Sequence, residues 1–420
     1  MTLTKPLLET TVTAVTELLE GSGPADARLS AYFRDNRKLG VHDRAFIAET
    51  CYAILRRRRF LEHLAPGASP RRLVLACLVR LNGIGTRELE PLLRPIEVAW
   101  VRELKAQPSG ELPPAVQAEL PDWLWERLAA QYGEEEALAM ARFLQQTAPL
   151  DLRVNILKAT RDAVLERLRA EGISAEAMPI SPLGIRLAEK VALHRHPLFL
   201  DGSVEVQDEG SQVLAYLVAP RRGEMVADFC AGAGGKTLAL GALMHNSGRL
   251  YAFDISERRL ANLKPRLARS GLSNVHPQLI ANERDQKLKR LAGKFDRVLV
   301  DAPCSGLGTL RRNPDLKWRQ KPRDIEELTA KQAAILAAAA KLVKAGGRLI
   351  YATCSLLTEE NEGIVEAFLA QRADFRLCDA TEILAHHKIA IDSGAYLRLL
   401  PHKHGTDGFF GAVLERRATG

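Results

Sequence analysis

Two cysteines in this chain each stand where a strand is expected to end. Cys304 closes Val298-Leu-Val-Asp-Ala-Pro-Cys, and Cys354 closes Gly346-Gly-Arg-Leu-Ile-Tyr-Ala-Thr-Cys. The apolar runs 297–300 and 348–352 predict buried strands. Ligands of open α/β sheets sit outside the carboxyl ends of the strands, which puts Asp301, Cys304 and Cys354 on active-site ground. Neighbouring strands lie only about 4.8 Å apart, so both thiols can face one substrate. A thiolate that adds to C6 of a cytosine turns C5, otherwise a poor nucleophile, into an enamine carbon able to attack an electrophilic methyl group. That chemistry also needs a group to polarise the ring at N3 and one to assist removal of the C5 proton. Asp301 and the second thiol are candidates. Buried apolar cysteines or a disulfide are the competing reading.

A third cluster follows the apolar stretch 225–229. Asp228-Phe-Cys-Ala-Gly-Ala-Gly-Gly-Lys-Thr237 places Gly232, Gly234 and Gly235 just ahead of an expected helix, where backbone can turn sharply and approach a ligand. A Walker A loop fails because Cys230 occupies the place of its first glycine, and the dinucleotide fingerprint G-x-G-x-x-G is poorly matched. Asp254 ends the next expected strand, where a carboxylate accepts hydrogen bonds from ribose hydroxyls. Its alternative is a helix N-cap. A glycine-rich loop, an acid at the second strand and an acid at the fourth fit an S-adenosylmethionine-dependent methyltransferase better than a dehydrogenase.

These groups need a scaffold, and the pattern supplies one. From about residue 205 strands (225–229, 249–253, 275–280, 297–300, 348–352) alternate with helical stretches (236–244, 257–270, 285–291, 324–343), followed by a helix over 359–371 and strands near 375–377 and 409–414. This predicts an α/β doubly wound sheet with its cofactor at the switch point. Residues 1 to about 140 read as helical, with amphipathic runs over 7–19 and 44–64. Gln107-Pro-Ser-Gly-Glu-Leu-Pro-Pro114 reads as a linker. Between them and the sheet, an alternating stretch at 150–157, a helix at 161–171 and an extended stretch at 184–187 predict a small α+β module. The expected domains are 1–140, 141–204 and 205–420.

The 420 residues carry a formal net charge of +8 and a pI near 9.2, consistent with an acidic partner such as nucleic acid. Arg56-Arg-Arg-Arg59 is a candidate phosphate contact, with a solvated helix face as its alternative. Arg311, Arg312, Lys317 and Arg319 could likewise meet phosphates, and Trp318 could stack on a base or pack on the domain surface. Six cysteines include no C-x-x-C pair, so no metal site is expected. No long apolar run and no apolar leader are present, which predicts a cytoplasmic protein with reduced thiols and no membrane contact. A monomer is expected.

Asp301-Ala-Pro-Cys-Ser-Gly306, Tyr351-Ala-Thr-Cys-Ser355 and Asp228 to Lys236 resemble the motifs of the Sun/Fmu family of RNA cytosine-5 methyltransferases. Val204-Glu-Val-Gln-Asp-Glu-Gly-Ser-Gln212 and Leu152-Arg-Val-Asn155 extend the resemblance. Leu39-Gly-Val-His-Asp-Arg-Ala45 resembles the family's NusB-like helical RNA-binding domain, so nearly the whole chain is covered. The resemblance implies a Rossmann-like class I methyltransferase domain and methylation of cytosine C5 in small-subunit (16S) ribosomal RNA. It implies Cys354 as the nucleophile on C6, Cys304 as the group that assists breakdown of the adduct, and Asp301 as the contact to N3 beside the cofactor. Cys230, Ala231, Gly232, Ala233, Gly234, Gly235, Lys236, Asp254 and Asn282 would hold S-adenosylmethionine, with Asp285 a rival to Asn282. The chain departs from the family by carrying Gly232-Ala233 where Ala-Pro is usual, and Asn282 where an Asp is frequent. A DNA cytosine-5 methyltransferase using Cys304, or a non-catalytic RNA-binding ribosome assembly factor, are the alternative readings.

Overall fold

Eight strands build the sheet that carries the cysteines. In the computed structural model, which describes residues 3–108, 110–189 and 191–418, four earlier strands come first. β1 (Leu150–Val154), β2 (Ala175–Ala177), β3 (Gly184–Leu187) and β4 (Val204–Val206) pair antiparallel in the order β2-β3-β1-β4. The main sheet then uses β5 (Met225–Asp228), β6 (Arg249–Asp254), β7 (Val275–Leu279), β8 (Phe295–Asp301), β9 (Val343–Thr353), β10 (Phe375–Cys378), β11 (Tyr396–Leu399) and β12 (Phe409–Arg416). Its order is β10-β12-β9-β8-β5-β6-β7, and β11 shares the outer edge of β12 with β10. β5 to β9 run parallel, and β12 enters antiparallel to β9. The chain order reverses between β5 and β8, which is the switch point the alternation predicted.

Parallel strands covered on both faces read as continuous apolar runs rather than alternating ones. Val298, Leu299 and Val300 of β8 are each fully buried. Val298 and Val300 pack with Phe295, Tyr351, Ile335 and Leu336, the last two from the helix Pro322–Ala340. Leu299 faces the other way, onto Val226, Leu250, Ile350 and the helix Glu209–Val218. The two layers leave only the strand ends open, and those ends carry the polar residues.

The chain forms two compact units, residues 1–147 with 310–320, and residues 148–309 with 321–420. The first is helical. The run expected as one helix over 44–64 is divided at Arg57 into Val41–Arg56 and Arg58–Leu64. The buried Glu119 carboxylate accepts from the amides of Arg59 (2.9 Å) and Phe60 (3.2 Å), satisfying donors that open the second helix. The linker read at 107–114 leads into the short helix Pro114–Ala118; its Ser109 lies outside the described residues.

The basic stretches are engaged by partners within the helical unit. Arg56 donates to the carbonyls of Gln146 and Arg311, Arg57 pairs with Glu119, Arg58 with Glu62 and Arg59 with Asp122. Residues Leu310–Gln320 fold into the helical unit. There Lys317 is buried and donates to Arg56 O, the Trp318 indole donates to Leu55 O at 2.7 Å, Arg319 pairs with Asp315, and Arg311 lies over Phe143. Trp318 is a half-buried packing residue and Lys317 a buried cation. Burial pushes the Lys317 ammonium down to about 7, against the pull of Glu119.

Candidate active site

The expected site residues meet at the carboxyl ends of β5, β6, β8 and β9. Asp301 is the last residue of β8 and Thr353 the last of β9, and their parallel register sets Asp301 beside Ala352. The two cysteine loops therefore leave the sheet side by side. Cys304 Sγ and Cys354 Sγ stand 3.4 Å apart, and the Cys354 amide also points at Cys304 Sγ at 3.4 Å. Both are free thiols and half-buried. The hydrogen bond that its thiol shares with Cys354, together with burial, pushes Cys304 well above its ordinary value, so Cys304 keeps its proton at neutral pH. A buried apolar cysteine, the competing reading, describes Cys51 and Cys77 in the helical unit.

Backbone holds the two loops in contact. Gly308 N donates to Cys354 O, and Gly408 N donates to Gly308 O, each at 2.8 Å. A Cβ at Gly308 would stand 2.2 Å from Gly408 O, so only glycine permits this approach. Side chains add a second tie that sequence reasoning missed. The fully buried Glu360 accepts from Ser305 N (2.8 Å), Ser305 Oγ (2.5 Å), Ser355 Oγ and Gln332 Nε2 (3.0 Å). Each serine directly follows one of the cysteines. The signal available in the sequence was an unexplained acid and amide, Glu360-Asn361, shortly after the second thiol.

A cleft of about 870 Å³ opens beside Asp301 and Pro303. Cys230, Ala231, Gly232, Ala233, Gly235, Lys236, Asp254, Asn282 and Asp301 line it. Gly234 stands apart from the lining. It has φ +84° as the residue before the helix Gly235–Leu243, and a Cβ there would strike Leu263 at 2.1 Å, so its glycine serves helix packing. Gly232 has φ +56° and open space where a side chain would stand. Asp254 is not the cap of the helix Glu257–Ser270, a role taken by Ser256. Its two oxygens accept from Gly232 N (2.8 Å) and Ser256 N (2.7 Å), and each keeps a further lone pair for a ribose hydroxyl. Asn282 accepts from Arg284 N across a tight turn, and Asp285 caps the helix Gln286–Lys289. Of the two rivals, Asn282 reaches the cleft.

The glycine loop is clamped from outside by Arg153, which lies in a motif quoted above without a role, and by Arg266, which was not singled out. Arg153 of β1 donates to Gly235 O (2.9 Å) and Gln207 Oε1 (2.5 Å), and Arg266 donates to Ala233 O (2.7 Å) while pairing with Glu205. Asn155 joins Gly202 O to Ser270 O. The motifs around 152–155 and 204–212 thus fasten the small sheet to the cofactor loop.

Lys236 Nζ donates to Asp301 Oδ2 at 2.7 Å. Burial alone would lower the Lys236 ammonium, but Asp301 outweighs it and raises the group, so the pair is ionic. Asp228 ends β5 almost wholly buried. Thr237 donates to its Oδ2 at 2.7 Å and its Oδ1 has no hydrogen-bond partner. Burial pushes this carboxyl up to about 7. Because its folded-state value lies above the unfolded value of about 3.9, its contribution to stability is complete below pH 4 and is lost as pH rises through 7. We expect chemical denaturation of the wild type to show stability falling by up to roughly 1.4 kcal/mol per pH unit through this window, and Asp228→Asn to flatten that slope. An unchanged slope in the variant would place the titration elsewhere.

The cleft has the donor set and volume for S-adenosylmethionine. Its size is that of small-molecule sites, Phe229, Ile255 and Ile280 offer apolar walls, and Asp254 offers acceptors for a ribose. Among the described residues no cluster of histidine, cysteine or carboxylate groups suits a metal ion, and no helix is long and apolar enough to cross a membrane.

The comparisons agree with this architecture. A family model described as 16S rRNA methyltransferase RsmB/F matches residues 215–415, and one for an RsmF/B-like ferredoxin-like domain matches residues 120–194. A Synechocystis protein named "Probable ribosomal RNA small subunit methyltransferase B" is 34% identical over 413 residues, covering 90% of this chain and 92% of its own. The crystal structure of PH0851 superposes with a TM-score of 0.79 at 25% identity, covering 99% of this chain and 100% of that one. The structure of NSun6 from Pyrococcus horikoshii with SFG has a TM-score of 0.63 at 25% identity, covering 71% of this chain and 99% of that one.

Proposed function

We propose, from the premise that this chain belongs to the RsmB/F family of S-adenosylmethionine-dependent 16S rRNA methyltransferases, that it methylates C5 of a cytosine in small-subunit ribosomal RNA through a covalent thiol adduct. The observation that carries the finer reading is the pair of free thiols 3.4 Å apart beside the Lys236–Asp301 ion pair at the cofactor cleft.

When bound in the cleft, S-adenosylmethionine supplies an electrophilic methyl group. The residues assigned to hold it are Cys230 to Lys236, Asp254, Asn282 and Asp301. Cys304 holds its proton and stands 3.4 Å from Cys354 Sγ, so it serves as the donor of the pair. Cys354 adds to C6 as the thiolate, and the charge pushed onto the ring is taken up at N3 by a proton that the Lys236 ammonium supplies through the Asp301 carboxyl bonded to it. Once C5 carries its methyl group, a water molecule takes the C5 proton, the C6–Sγ bond breaks with its electron pair returning to Cys354, and the protonated Cys304 assists by donating a hydrogen bond to the departing sulfur. The target base must be unpaired or flipped out to reach thiols at a sheet end.

Three further assignments belong to this reading. Residues 1–140 are a NusB-like RNA-binding domain, 141–204 a small RNA-binding module and 205–420 the methyltransferase domain. The enzyme acts as a cytoplasmic monomer.

The test is transfer from labelled S-adenosylmethionine to unmodified 16S rRNA, followed by nucleoside analysis. We expect label in 5-methylcytidine. Label in any other nucleoside would overturn the C5 assignment, and labelling of DNA but not RNA would favour the DNA-enzyme alternative. Absence of transfer to either would favour the assembly-factor reading.

A further inference from the structure

We infer that Glu360 is the positioning residue that sets the relation between the two thiols, acting through Ser305 and Ser355. The inference rests on the two-thiol reading above and names the element that keeps its two halves in step.

The geometry is asymmetric in a useful way. Oε1 of Glu360 accepts from Ser305 N and from Gln332 Nε2, which also holds Pro303 O at 3.0 Å. Oε2 accepts from both serine hydroxyls, which stand 3.2 Å from each other. One oxygen thus holds the Pro303–Ser305 turn, and the other joins that turn to the Thr353–Ser355 turn. The Glu360 backbone is fixed as well, since the Tyr351 hydroxyl from inside β9 donates to its carbonyl at 2.7 Å. Asn361 completes the second turn, accepting from Thr353 Oγ1 and donating to Ser355 O at 3.2 Å.

A buried carboxylate is costly unless its lone pairs are met, and four donors meet this one. In return the two loops cannot shift separately by more than hydrogen-bond slack. Cys304 and Cys354 work at opposite ends of the reaction, so each hydroxyl serves a different step. Ser355 steadies the thiol that adds to C6. Ser305 steadies the thiol that assists release.

The experiment compares wild type, Ser355→Ala, Ser305→Ala, Glu360→Gln and Glu360→Ala as full-length chains. Readouts are methyl transfer to 16S rRNA, the fraction of protein held as RNA adduct on denaturing gels, and thermal unfolding. Ser355→Ala is expected to slow turnover about 10-fold with less adduct, and Ser305→Ala to slow it similarly with more adduct. Glu360→Ala is expected to lose about 100-fold in turnover. Glu360→Gln should retain much more, because its amide oxygen can replace Oε1 and both hydroxyls can rotate to accept from the new NH₂.

A purely structural role would lower activity in step with thermal stability and would leave the adduct fraction per turnover unchanged. Adduct moving the same way in both serine variants, or in neither, overturns the inference. If Glu360→Ala does not fold, the serine variants, each missing one hydroxyl, decide the question. Cys304→Ala and Cys354→Ala run alongside report on the two-thiol reading itself. If neither alters the adduct, that reading fails independently of Glu360.

Discussion

Cys354→Ala is expected to lower methyl transfer to RNA by about 10⁴-fold or more and to leave no protein–RNA adduct, whereas Cys304→Ala is expected to add to RNA and then stall. The asymmetry comes from the hydrogen-bonded pair. Cys354 is assigned the addition to C6, and Cys304, 3.4 Å away and driven up by its bond to Cys354 and by burial, is assigned the release step. Removing it leaves Cys354 a nucleophile without the neighbour that assists release. A denaturing gel of each variant after incubation with S-adenosylmethionine and 16S rRNA separates the outcomes. Activity that survives without Cys354 but not without Cys304 would exchange their roles.

The second large effect concerns the ion pair. Asp301→Ala leaves the Lys236 ammonium, whose side chain is 10% exposed, without its bonded carboxylate. Breaking a buried pair from one side costs about 3–5 kcal/mol, and the 30% exposure of the Asp301 side chain reduces this to roughly 2–3 kcal/mol. Turnover should fall by about 10²–10³-fold, because the group that meets the ring at N3 is lost. The double variant Lys236→Met with Asp301→Asn separates the two effects. It removes the unpaired charge, so denaturant stability should recover by more than half while methyl transfer stays low. Recovery of both together would make the pair structural only.

How much of this was legible beforehand differs from element to element. The strands at 225–229, 249–253, 297–300 and 348–352 were readable because a strand covered on both faces is largely apolar, and such runs stand out between polar helix faces, whereas β7 is a half-exposed edge strand with His276 and Gln278 in it. The motif cysteines and the glycine loop were readable because their positions at strand ends restrict what they can do. The continuous helix read over 44–64 was wrong. The break at Arg57 is stabilised by Glu119, a residue 62 positions away, and no local periodicity records such a partner. The basic stretches at 56–59 and 310–320 misled for the same reason. A cation's availability depends on which carboxylates and carbonyls reach it, and for Arg56, Arg57, Arg59 and Lys317 those come from residues far along the chain.

By itself the sequence determined the order of the five parallel strands and the helices between them, the placing of Asp301, Cys304 and Cys354 at strand ends, and the glycine loop ahead of its helix. These follow from side-chain period and backbone freedom, which are local properties. Only the tertiary structure decided the 3.4 Å approach of the two sulfurs, the Lys236–Asp301 pair and the Glu360 tie between Ser305 and Ser355. It also decided that Arg153 and Arg266 hold the glycine loop, that Gly234 packs while Gly232 faces the cleft, and that Trp318 packs half-buried on the helical unit. Each of these is a distance between residues far apart in the chain. Such distances are set by sheet register and by the close packing of many side chains at once, which no stretch of sequence encodes alone.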